Sequence, residues 1–249
     1  RLKLSGILDT LGSRLEQAQG EKWSYSQFLD FLLSDEVERR DHKQLVRRLS
    51  KSGLDPEKTL TTFDFSFNPK IHEPTIRELA TCRFLEKNEC LLLLGPSGVG
   101  KSHLAQAIGN EAVRRGYEVL YRRTSALLGW ISAGEGDGTR ERRLRQTVAV
   151  GVLILDDFGM KPLSETQQSD LYELICERYE RAPSIITSNR DFNEWPMIFA
   201  NPLMGSAAMD RLVHRASKFV IEGKSYRVDA FIKRSKRLST GELASDSES

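Results

Sequence analysis

Cysteine is scarce in this chain: Cys82, Cys90 and Cys176 make an odd number with no metal-ligand spacing, so neither a framework of paired bridges nor a zinc motif is present. The three thiols read as small buried apolar residues of a protein in a reducing cytoplasm. No run approaches the roughly 18 apolar residues that a membrane span needs, and no apolar leader follows the basic start, so no membrane partner is expected. Histidine is rare as well, and His42, His72, His103 and His214 share no spacing that would gather them on one metal. An excess of charge of one sign is also missing. With 37 basic and 35 acidic residues the chain carries +2, so polyanionic partners have to be sought in local clusters rather than in bulk charge. No internal repeat is visible. What remains is an ordinary globular composition, 39% apolar and 29% charged over 249 residues, enough for one large α/β domain or a medium one with a small appendage.

Leu4, Leu8, Leu11, Leu15 and Ala18 alternate steps of four and three along one stripe of a helix that ends near Gly20. Ser24-Tyr25-Ser26-Gln27 reads as a capping box for a second helix with Phe28, Phe31 and Leu32 on its apolar face. A basic helical stretch continues from Val37 to Lys51 and stops at Ser52-Gly53, with Pro56 just beyond. Residues 1–58 are therefore expected to form a small all-helical domain. The stretch from Thr61 to Pro74, rich in Phe and without helical period, suits a linker packed on the next domain. From there short apolar runs alternate with helical patterns: 91–94, 104–112, 117–121, 125–131, 152–155, 164–179 and 184–187. Strand and helix in turn predict an α/β domain over 59–230, a parallel sheet covered by helices on both faces, with ligands at the carboxyl ends of the strands. Residues 231–249, basic and then rich in Ser, Asp and Glu, are expected to be a disordered tail.

Three segments converge on that carboxyl edge. Gly95, Pro96, Ser97, Gly98, Val99, Gly100, Lys101 and Ser102 fill the pattern G-x-x-x-x-G-K-[ST] between an apolar strand and a helix. The glycines let backbone N–H groups turn inward around phosphate oxygens, Lys101 reaches the β- and γ-phosphates, and the Ser102 hydroxyl suits Mg2+. The strand Val152-Leu153-Ile154-Leu155 ends in Asp156 and Asp157. Asp156 is read as the metal-side carboxylate, and Asp157 as the group that orients or deprotonates the attacking water. Asn189, after the strand Ser184–Thr187, can donate to the γ-phosphate or to that water. Arg211 and Arg215, well downstream, are candidates to stabilise transferred charge in a neighbouring subunit. Arg122 and Arg123, and Arg140, Arg142, Arg143 and Arg145 after a glycine-rich loop, are basic clusters suited to a nucleic-acid backbone.

Together these residues resemble the AAA+ ATPases of the initiator and helicase-loader branch, and most closely the IstB family of transposition helper ATPases encoded by insertion sequences. The likeness runs from about Tyr25 to about Arg227. It is narrowed by Thr187-Ser188-Asn189-Arg190 and Asp210-Arg211-Leu212, and closes on Gly223-Lys224-Ser225-Tyr226-Arg227. It implies an ATP- and Mg2+-dependent homo-oligomer in the bacterial cytoplasm that assembles on duplex DNA, remodels it, and directs a transposase. It also implies Asn189 as γ-phosphate sensor, Arg211 as a finger across the subunit interface, Phe63 near the adenine and His103 among the nucleotide contacts. Asp157 stands where many AAA+ members carry glutamate, which suits slow hydrolysis. With little chain after the last strand, the helical lid and its second sensor arginine are expected to be missing. A helicase loader of the DnaC kind shares most of these features. More distant readings are a small-molecule P-loop kinase and a nucleotide-binding assembly protein that never turns over.

Overall fold

The computed structural model describes residues 4–239. The chain divides into two compact units between residues 51 and 52. The first consists of helix α1 (Ser5–Glu21) and the body of helix α2 (Tyr25–Ser52). The capping box is present, with Ser24 Oγ accepting from the Gln27 amide and Gln27 Oε1 from the Ser24 amide. The two helical stretches read from the sequence after Ser24 are one continuous helix, because neither Gly nor Pro interrupts 25–52. Glu36, 4% exposed, accepts from the amides of Gly6 and Ile7 at the start of α1 and from Arg40. A carboxylate of α2 thus satisfies orphan donors at the amino end of α1. Arg14 and Asp35 add a two-bond ion pair, at 2.9 and 2.6 Å.

In the second unit the linker contains a 3-10 turn, Phe65–Phe67, capped by Asp64. Helices α3 (Glu73–Leu79, Pro74 in its first turn) and α4 (Arg83–Glu86) lead to strand β1 (Cys90–Leu94). The chain continues through α5 (Lys101–Arg114), β2 (Val119–Arg123), α6 (Thr124–Ser132), α7 (Arg140–Val148), β3 (Val152–Asp156), α8 (Glu165–Arg178), β4 (Ser184–Ser188), α9 (Pro202–Val213), β5 (Ala216–Val220) and α10 (Tyr226–Ser239). All strand pairs are parallel, in the order β2-β3-β4-β1-β5. Leu92, Leu94, Leu153, Leu155 and Ile186 face a cluster built with α6, α8 and α9. Helix α5, with Leu104, Ala107 and Ile108 buried, covers the other face. The central strands read as unbroken apolar runs because both faces are covered.

Two expectations need correction. A fifth strand, β5, lies after Arg211, although the sequence reading ended the sheet at β4. Its residues Ala-Ser-Lys-Phe-Val lie on an edge with much of their surface exposed, so no apolar run announces it. The disorder expected from residue 231 is also not what is found: α10 continues to Ser239, with Asp229 and Lys233 paired at i,i+4. The rest of the expected tail, 240–249, lies outside the described residues.

Candidate nucleotide-binding site

The loop between β1 and α5 takes left-handed backbone at Gly98 (φ 84) and Gly100 (φ 103), which glycine adopts without strain. A Cβ at Gly100 would stand 2.7 Å from the Phe63 ring, and one at Gly98 would collide with the Ser225 side chain. The loop is thus gripped from both sides by its own chain. The linker supplies Phe63, and the strap after β5 supplies Ser225 and a bond from the Tyr226 amide to the Gly98 carbonyl at 2.9 Å. Asn68 Nδ2 donating to the Glu222 carbonyl at 2.7 Å ties linker and strap together. Lys101 is buried at the start of α5, its ammonium donating to the Pro96 carbonyl at 2.8 Å. Burial pulls its pKa below the usual range, opposed by Asp157 and Asp156.

The mouths of β2, β3 and β4 carry a connected polar set. Asp156, 3% exposed, accepts from Thr187 at Oδ1 (2.5 Å) and from the Tyr121 hydroxyl at Oδ2 (2.7 Å). Its main-chain carbonyl accepts from Thr124 Oγ1 at 3.0 Å. Burial, and then the hydrogen bond to Asp156, push the Tyr121 pKa well above the ordinary phenol range, so this hydroxyl stays a donor. Asp157 is exposed and held in left-handed backbone, φ 55, by its amide bond to Thr187 Oγ1 at 3.1 Å. Ser188 is buried, donates to the Phe158 carbonyl at 2.7 Å, and accepts from the amide of Arg190 and from Trp195 Nε1. Those bonds fix the turn that leaves Asn189 exposed at the mouth.

A cavity of about 690 Å³ joins these parts, lined by the loop from Ser97 to His103, Asp157, Asn189, Phe63 and Arg227. This volume lies in the range of small-ligand sites. Phe63 meets His103 edge-on, with ring centroids 5.1 Å apart, and His103 Nε2 lies 2.8 Å from the Thr59 carbonyl. Burial lowers the His103 pKa, leaving a neutral ring beside Phe63. The Arg227 side chain at the start of α10 has no hydrogen bond or ion pair to another described residue, yet bears electrostatically on Lys101. Two cations facing one cavity suit an anion between them. Asp156 does not line the cavity but lies buried directly behind Asp157. Among the described residues no group of three or more His, Cys, Asp or Glu is placed to hold a metal. One carboxylate and Ser102 nevertheless fit Mg2+, which keeps waters and phosphate oxygens as most of its ligands.

The IstB-like ATP-binding protein family model matches residues 1–235. The chain belongs to that family. It is 40% identical over 227 residues to an insertion-sequence ATP-binding protein of Mycobacterium tuberculosis, covering 91% of this chain and 90% of that one. It is 38% identical over 228 residues to the IS21 ATP-binding protein of Pseudomonas aeruginosa, with 92% and 86% covered. Among solved structures it is similar to AMPPCP-bound DnaA from Aquifex aeolicus, with a TM-score of 0.57, 23% identity, and 79% of this chain and 59% of that one covered. It is also similar to DnaI, with a TM-score of 0.59, 23% identity, and 68% and 95% covered. The fold is that of the AAA+ P-loop ATPases.

In this IstB-like chain the structure gathers Gly98 to His103, Phe63, Asp157 and Asn189 in one cavity. It does not bring Arg211 or Arg215 there. Both line a small cavity by Cys90 and Ser184, at the amino-terminal edge of the sheet. Arg211 donates to the Ala207 carbonyl and lies 5.8 Å from the Tyr172 ring centroid, whereas Arg215 faces Glu180 at 3.6 Å. The basic clusters divide as well. Arg140 is paired with the fully buried Asp170 at 2.6 Å. Arg143 holds Asp137 and the Trp130 carbonyl, so these two tie α6, α7 and α8 together. Arg145 is paired with exposed Glu141, and Arg122, Arg123 and Arg142 are exposed. Tyr121, Thr124, Thr187 and Arg227 are not among the candidate site residues of the sequence: Thr187 and Arg227 stand in stretches that carry the family likeness, but nothing local gives a strand-end hydroxyl, or an arginine after an unrecognised strand, a place at the site. Arg227, delivered by β5 and the strap, is a second cation at the cavity beside Lys101.

Proposed function

We propose that this protein binds ATP with Mg2+ in the cavity under the Gly95–Ser102 loop, hydrolyses it slowly, and uses the cycle to assemble copies of itself on duplex DNA and recruit or activate the transposase of the same element. The observation that carries the reading is the convergence of Lys101, Asp157, Asn189 and Arg227 on one cavity in a chain whose relatives are insertion-sequence ATP-binding proteins. The loop amides and Lys101 bind the phosphates, and Ser102 and Asp156 would hold the cation, which neutralises charge developing on the transferred phosphoryl group. Asp157, exposed at the mouth, accepts a proton from the attacking water, and Asn189 orients that water or the terminal phosphate. Phe63 and His103 form an apolar wall suited to the adenine. Arg211 acts on the site of a neighbouring copy, which agrees with its distance from its own cavity. We place the protein in the bacterial cytoplasm, in keeping with its free thiols and bacterial relatives. No described helix is long and apolar enough to cross a membrane.

A helicase loader shares this site and differs in its partners; kinship with insertion-sequence proteins favours the transposase reading. The test is ATP hydrolysis and sedimentation with and without duplex DNA, beside the Lys101→Ala variant. Duplex-stimulated turnover and assembly, and no nucleotide binding by the variant, are expected. Turnover and assembly indifferent to duplex would overturn the DNA part, and tight ATP binding by Lys101→Ala would overturn the site.

A further inference from the structure

The turn from β2 into α6 is fastened to Asp156 twice within four residues. Tyr121 donates to the side chain at 2.7 Å and Thr124 to the main-chain carbonyl at 3.0 Å. Between them stand Arg122 and Arg123, both exposed. Arg123 is the register partner of Asp156 across the β2–β3 ladder and has no ion pair with another described residue. Arg122 donates to the carbonyl of Tyr121 itself at 2.7 Å. Two exposed cations thus stand between the two hydroxyls that hold Asp156, one at its carboxylate and one at its main-chain carbonyl. The carboxylate has few alternatives for its orientation, because Thr187 holds the other oxygen at 2.5 Å. Each carboxylate oxygen has about two acceptor directions, so one hydrogen bond apiece leaves a lone pair on each free for a cation. Oxygen ligands held in this way by neighbouring hydrogen bonds tune metal affinity without touching the metal.

Resting on the function proposed above, we propose that Tyr121 is a positioning residue for Asp156, and that a duplex phosphate backbone bound at Arg122 and Arg123 acts on cation binding through it. Backbone phosphates engage exposed arginines irrespective of sequence. Engagement there draws on the Tyr121 carbonyl through Arg122, and so on the hydroxyl that sets the Asp156 carboxylate. DNA and Mg2+ then favour one another's binding, as linkage requires of two sites that bias the same element.

The experiment measures binding of a fluorescent ATP analogue to full-length protein while Mg2+ is titrated, with and without a blunt DNA duplex. Tyr121→Phe should bind the analogue in EDTA as tightly as wild type, yet require about tenfold more Mg2+ for half-maximal response, the scale expected when a ligand loses its orienting hydrogen bond. Duplex should lower the Mg2+ midpoint of wild type severalfold, and leave that of Tyr121→Phe and of an Arg122→Ala, Arg123→Ala double variant unmoved. An unchanged midpoint in Tyr121→Phe would overturn the positioning role, and so would an equal loss of affinity in EDTA, which marks a purely structural contribution. A duplex-induced shift that survives in either variant, or is absent from wild type, would overturn the coupling. Wild type that binds no nucleotide at all fails the underlying function instead, and that failure is seen before any variant is made.

Discussion

Asp156 and Asp157 are identical neighbours in the sequence, and their surroundings make them different reagents. Asp156 is buried with both oxygens accepting hydrogen bonds, whereas Asp157 is turned out to the cavity by a left-handed backbone. Strain of that kind persists where the surrounding structure over-determines it, here through the Thr187 hydroxyl. Asp157→Asn should keep ATP bound while turnover falls by about a hundredfold or more, measured as phosphate release beside equilibrium nucleotide binding. Normal turnover would remove Asp157 from the mechanism. Trp195 is a different case. It is 0% exposed, packs on Phe158 with centroids 4.5 Å apart and the rings inclined at 54°, and donates to Ser188. Trp195→Ala should destabilise the second unit by about 3–5 kcal/mol in denaturant unfolding, the range for truncating a large buried aromatic. The tandem acids and Asn189 were legible as site residues in the sequence, because strand ends announce them. Thr187, Ser188 and Trp195 as their supports were not, since the bonds that give them that role join separate strands and turns.

At the level of elements, helix caps and apolar stripes carried the first unit. The Ser24–Gln27 box and the leucine stripe locate α1 and α2 without help from packing. Its charge pairs were not legible. Arg14 holds Asp35 by hydrogen bond, pulling that carboxyl from an ordinary 3.8 to about 2. A depressed carboxyl pKa adds stability that is full above its unfolded value and is lost as pH falls through its folded one. The contribution is therefore present at pH 4 and above, and disappears between about 3.8 and about 2. In Arg14→Ala the Asp35 carboxyl should titrate clearly above about 2 and still below 3.8, because Thr10 also lowers it, as followed by carboxyl-detected NMR. A midpoint still close to 2 would assign the shift to other partners. Strand β5 and helix α10 mark the opposite limit. The strand is a short, polar edge, and the helix pattern was masked by a basic and serine-rich composition. Missing β5 also hid the place of Arg227 at the cavity, because the strap that carries it starts from that strand.

For the whole molecule, the nucleotide cavity and Arg211 lie at different edges of one sheet, so a finger role for Arg211 requires a second copy. Arg211→Ala should lower turnover by about a thousandfold with ATP affinity unchanged. Mixing it with Lys101→Ala, which supplies intact fingers but a dead site, should restore part of the activity. No recovery in the mixture would exclude a finger in trans at this position. The sequence by itself determined the parallel sheet, the phosphate loop and the acids at its edge, because each rests on local pattern: apolar runs, glycines at fixed spacing, and charge at the end of a strand. Only the tertiary structure decided which arginines are free and which are tied. Arg140 is held by Asp170 and Arg143 by Asp137, Arg123 stands exposed opposite Asp156, and Arg227 turns into the cavity. An arginine's role is set by the charge it meets, and that partner comes from the fold, not from the residue's own neighbours in sequence.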